Sequence, residues 1–115
     1  MVLTIKGEKY YPLSERIVFG LESMHEHARC MLEGYWQDRG EDPLTPEQEE
    51  HWQKLADECN DILYGKVVYR GSRWGYLPGK DYARAKEITE ERELLRYQVC
   101  IANGMSEADA EACFQ

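Results

Sequence analysis

The chain has 115 residues, with 22 Asp and Glu against 14 Lys and Arg, for a formal net charge of −8. That balance argues against general binding to phosphate backbones, which calls for a basic footprint. Leu, Ile, Val and Phe together make only 22 residues, but eight Tyr, three Trp, four Met and four Cys supply further apolar area, so a folded chain is expected rather than a disordered one.

The opening MVLTIKGEKYYPLSE has charges within six residues and no long apolar run, so no secretory leader is expected, and no stretch approaches the roughly 18 apolar residues of a membrane span. VLTIK, Gly7-Glu8 and KYY read as a short hairpin or extended arm. Ser14 caps a first helix expected to run to about Asp38, with Gly40 just beyond it. Ile17, Leu21, Met24, Ala28, Met31, Leu32 and Tyr35 form its apolar stripe. Phe19 projects from the other side among Glu15, Glu22 and Glu26, with cover expected from the N-terminal arm or a second subunit.

The second helix has the clearest start. Thr45 is the cap, Pro46 takes the first helical position, and Gln48 completes a T-x-x-Q capping box. Trp52, Leu55, Ala56, Cys59, Ile62 and Leu63 face the core, and Gly65 ends the helix. KVVYRGSRWGYL then reads as a hairpin turning at Gly71-Ser72, which sets Tyr69 opposite Trp74 and Val67 opposite Tyr76. After Pro78-Gly79, Asp81 is the expected cap of a third helix running to about Asn103. Ile88, Leu95, Val99 and Ala102 make one stripe on it, and Leu94, Tyr97 and Ile101 make another nearly opposite. Apolar residues all round predict a buried helix, with Leu95, Val99 and Ile101 at the centre of the molecule. Gly104 closes it, and Ser106 with Asp109 opens a short terminal helix. The pattern predicts one domain over residues 1–115, predominantly helical α+β: three main helices, a short C-terminal helix and one or two short β-hairpins.

Chemical constellations are sparse. Cys30, Cys59, Cys100 and Cys113 form no CxxC pair, and three fall in helical patterns, which favours reduced thiols in a cytoplasmic protein. His25 and His27 point about 200° apart on a helix, and His27 with Cys30 is an incomplete zinc set. Glu47-x-x-Glu50 and Glu58-x-x-Asp61 resemble the paired carboxylate motif of all-α nucleotide pyrophosphohydrolases. That motif spans two facing helices, whereas these four acids share one and cannot close around magnesium. GYLPGKD lacks the spacing and the Ser or Thr of a phosphate-binding loop. IANGMSEADAEACF is punctuated like a helix-turn-helix, but Glu107, Asp109 and Glu111 would repel phosphates. No catalytic residue, metal site or cofactor is expected.

Two surfaces stand out. Residues 66–86 carry six bases against Asp81, a local charge of +5 in a chain whose remainder is −13. Arg70, Arg73, Trp74, Tyr76 and Lys80 there suit stacking on nucleobases; the competing reading is aromatics facing the core with bases solvating the hairpin. On the second helix, Glu47, Glu50, Asp57, Glu58 and Asp61 lie within about 100° of arc opposite the apolar stripe. Like charges at this spacing cost a few tenths of a kcal/mol per pair, so stability alone would not concentrate them; the competing reading is a solvated face.

The leading expectation is a small acidic non-enzymatic interaction protein, an inhibitor or regulator engaging a basic surface of a nucleic-acid-handling complex. Phage-encoded anti-restriction and anti-CRISPR inhibitors are similar in size and charge. The alternatives are a nucleic-acid- or nucleotide-binding module using residues 66–86, and a small metal-dependent enzyme. No membrane association is expected.

Overall fold

The computed structural model describes residues 1–34, Gln37 and 40–112. Tyr35, Asp38 and Cys113, each given a place above, lie outside the described residues. Strand β1 (Leu3–Ile5) turns directly into β2 (Glu8–Pro12), with Leu3 opposite Tyr10 and Ile5 opposite Glu8. The turn is Lys6-Gly7, both with positive φ (51° and 81°), rather than Gly7-Glu8. A two-residue hairpin loop needs this left-handed pair to match strand twist, and glycine in second place lowers its cost.

Ser14 caps α1 (Glu15–Leu32) by accepting a hydrogen bond from the Ile17 amide at 3.3 Å. The helix ends earlier than the apolar stripe suggested. Gly34 takes φ +102°, and its amide bonds the Met31 carbonyl, so the chain leaves the helix there and not at Gly40. Helix α2 (Pro46–Asp61) carries the complete capping box: Gln48 N–H to Thr45 Oγ1, and Thr45 N–H to Gln48 Oε1. It runs into a single π-helical turn, Ile62–Lys66.

The expected second hairpin is replaced by something looser. The turn centres on Arg70 and Gly71 (φ 41° and 80°), closed by Ser72 N–H to the Tyr69 carbonyl at 2.7 Å. A single bridge joins Val68 to Tyr76, and neither Tyr69–Trp74 nor Val67–Tyr76 pairing forms. The positive-φ pair again falls on a base followed by glycine, one residue earlier than Gly71-Ser72, and the Val68–Tyr76 bridge closes a wide loop over 69–75 in place of a tight hairpin. Strand β3 (Tyr76–Pro78) instead pairs with β2, Tyr11 opposite Leu77, giving an antiparallel sheet ordered β1-β2-β3.

Helix α3 (Gly79–Ala102) starts directly after Pro78, with no side-chain cap. Asp81 lies inside its first turn, ion-paired to Lys66 at 3.2 Å rather than capping. A short α4 (Glu107–Ala112) opens with Ser106 Oγ accepting from the Asp109 amide. The fold is thus predominantly helical α+β with a small antiparallel sheet.

The core sits where α1 packs against both α2 and α3. Leu21, Met24, Cys59, Ile62, Leu77 and Ile88 are each no more than 2% exposed. Helices α1 and α3 approach so closely at Gly20 that a Cβ there would lie 2.3 Å from Thr89 Oγ1. Buried Thr89 turns its hydroxyl back to the Ala85 carbonyl, which satisfies it within its own helix.

The centre of α3 is therefore its N-terminal half, not its C-terminal half. Leu95 is partly buried against the core, while Val99 and Ile101 are 46% and 36% exposed. The inward row reads Ala85, Ile88, Arg92, and Arg92 ends it. Burial and nearby Arg96 lower the Arg92 pKa, and its buried Nε has no hydrogen-bond partner among the described residues. The 24-residue α3 outruns the 18-residue α1 by roughly 9 Å at about 1.5 Å per residue. The described residues extend 50 × 36 × 19 Å with a radius of gyration of 16.3 Å, where about 13 Å is usual for this length.

Candidate functional site on the second helix

The amphipathic pattern of α2 fixes which side meets the core. Leu55, Ala56 and Cys59 are buried, so the opposite side faces solvent. Glu47, Glu50, Asp57 and Asp61 are all exposed there. Their cationic partners belong to the chain itself. Lys54 Nζ lies 2.8 Å from Glu50, and this hydrogen bond, with the charge behind it, lowers the Glu50 pKa. Asp57 accepts from Gln53 at 3.0 Å, a partner that brings no compensating charge. Lys66 lies 3.4 Å from Asp61 but bonds more closely to Asp81, the main reason its pKa is raised.

Glu58 belongs to a different structure. Arg84 of α3 grips its carboxylate through Nε at 3.0 Å and Nη2 at 2.8 Å, tying α2 to α3. The Arg84 pKa is raised, chiefly by this hydrogen bond, with Glu87 and Glu91 adding to it. Glu58 was expected to be a freely exposed member of the acidic face. The structure turns it toward α3, where it is part-buried and acts as a structural clamp. No local pattern links a glutamate and an arginine 26 positions apart, so sequence reasoning had no means of finding this pair.

The alternative basic and aromatic site is dispersed in a similar way. Tyr76 is 8% exposed and lies in the core, so it offers no stacking face. Tyr82, also part of that segment, stacks on Tyr11 with ring centroids 5.5 Å apart. Trp74 is half-buried, packed edge-on against Phe19 at 6.2 Å, with the Arg73 guanidinium 4.8 Å over its ring. The cover of Phe19 is thus Trp74 and not the N-terminal arm, and Phe19 keeps 50% exposure. Arg70 and Lys80 remain exposed, as does Tyr69.

Elsewhere, His27 packs edge-on to Trp52, while Cys30 lies near Glu26 and its thiol pKa is raised by burial and that carboxylate. Among the described residues no three His, Cys, Asp or Glu side chains gather closely enough to hold a metal. No described helix is long and apolar enough to cross a membrane. Comparison with protein-family models, curated proteins and solved structures gives no match to this chain.

Proposed function

We propose that this chain is a non-enzymatic interaction protein whose α2 face engages a basic surface of a protein partner, acting as an inhibitor or regulator of a nucleic-acid-handling complex. The observation that carries the reading is the single outward face of Glu47, Glu50, Asp57 and Asp61, with which only Lys54 and Lys66 pair among the described residues. Such a face attracts Lys- and Arg-rich clefts and speeds encounter with them, and its pull weakens as salt screens exposed charges.

The test uses a Lys- and Arg-rich helical peptide as probe, titrated at low and physiological salt. Replacing Glu47, Glu50 and Asp57 by Lys together should weaken binding by about tenfold or more, because exposed charges act collectively. Glu58 is spared, since its substitution would release Arg84 from the interface between α2 and α3. Replacing Arg70, Arg73 and Lys80 by Glu should leave peptide binding intact. Unchanged binding by a folded triple variant overturns the reading. Tight binding of single-stranded DNA that fails only in the Arg70, Arg73 and Lys80 variant would favour the nucleic-acid alternative instead.

A further inference from the structure

We infer that Tyr64, held outward by the π-helical turn that ends α2, gives the α2 face a preference for arginine, so that its partner presents an arginine-bearing surface rather than a lysine-rich one. This preference presupposes the α2 interaction proposed above.

Asp57, Asp61 and Tyr64 follow one another at i, i+4, i+7, the spacing that keeps side chains on one side of a helix. At Ile62 the helix widens into the π turn Ile62–Lys66, a form that is rare and recurs at functional sites. Ile62 and Leu63 turn into the core, at 2% and 8% exposure. Tyr64 turns out to 77%, the most exposed aromatic side chain among the described residues. Gly65 follows, and the Asp61 carboxylate lies over it: a Cβ there would meet Asp61 Oδ1 at 3.1 Å. The carboxylate therefore rests against the same turn that carries the ring. Asp61 is 64% exposed, and Lys66, its cationic neighbour at 3.4 Å, is shared with Asp81 at 3.2 Å.

A ring and an incompletely neutralised carboxylate on one turn suit a guanidinium. It is planar and weakly hydrated, so it stacks on an aromatic face while its N–H fork reaches a carboxylate. The ammonium of lysine is compact and strongly hydrated, and gains less from the ring. Charge also removes other occupants. Asp57 and Asp61 repel phosphate-bearing ligands, and a second copy related by a two-fold axis would set these acids against themselves. Tyr69, 55% exposed, is the contrasting case, because Arg70 beside it disfavours a cation there.

The test compares two helical peptides of equal length and charge, one with arginine and one with lysine at every basic position, titrated at the same ionic strength. Long-range attraction is equal for both, so the ratio of affinities reports the close contact. Wild type should bind the arginine peptide about three- to fivefold more tightly. Tyr64→Leu should remove most of that preference with helical circular dichroism unchanged. Tyr64→Phe should keep it because the ring remains, and Tyr69→Leu should keep it as well. Replacing Glu47, Glu50 and Asp57 by Lys should weaken binding of both peptides. Equal binding of the two peptides by wild type overturns the inference, as does a preference undiminished in Tyr64→Leu or lost in Tyr69→Leu. The acidic face survives each of those results provided the charge-reversed variant still loses both peptides. If that variant binds both as wild type does, the proposed α2 interaction fails, and the arginine preference falls with it.

Discussion

Cys59 shows how much one position in α2 does for the fold. Its side chain is wholly buried in the shared core, and burial, with Glu58 adding to it, pushes the thiol up from about 9 to about 11. The native state therefore holds a neutral thiol under conditions where the unfolded chain releases its proton. Stability from this group is fully present below pH 9 and is lost as pH rises from about 9 to about 11. The slope approaches about 1.4 kcal/mol per pH unit at most. Urea unfolding at pH 8 and pH 10.5 should show a larger alkaline loss for wild type than for Cys59→Ala, other titrating groups being common to both. Equal losses would mean that the thiol does not titrate differently in the two states.

At the scale of elements, the two halves of α3 differ in what supports them. Ile88→Ala removes a side chain that is 0% exposed and should cost about 2–4 kcal/mol. Leu95→Ala, one side chain beyond the firm core, should cost roughly half as much, and the order of the two in denaturant midpoints checks the assignment. Local signals were legible in the sequence. The Thr45 capping box and the Ser14 and Ser106 caps each depend on residues three or four apart, and all formed as expected. What the sequence hid was which neighbour each helix would meet. Apolar residues on both sides of α3 mean either burial on several sides or one buried row and one open row, and composition does not separate the two. Gly20 looks like any mid-helix glycine until Thr89 is set against it. The acidic residues of α2 could be placed on one face by helical period alone, but Glu58 left that face because Arg84, on another element, claimed it.

At the scale of the whole molecule, the chain presents two chemically distinct regions, the acidic outer side of α2 and the basic stretch 66–86, and the reach of exposed charges on both falls as salt rises. The sheet adds a consequence for how the structure assembles. Tyr11 and Leu77 are neighbours in the sheet although more than sixty residues separate them in sequence, and β3 has three residues with which to repay that closure. The loop-closure cost grows with the logarithm of loop length and is paid before the pairing returns anything. Helices α1 and α2, joined by the short segment 33–45, can dock first at far lower entropic cost. The strands then act as a late clasp across a helical nucleus. In stopped-flow refolding, Leu21→Ala should slow folding, whereas Leu77→Ala should leave the folding rate nearly unchanged and accelerate unfolding. The reverse pattern would make the sheet the nucleus. A clasp that closes last also opens first, so the N-terminal hairpin and β3 should exchange their amide protons through openings that leave the helical pair intact.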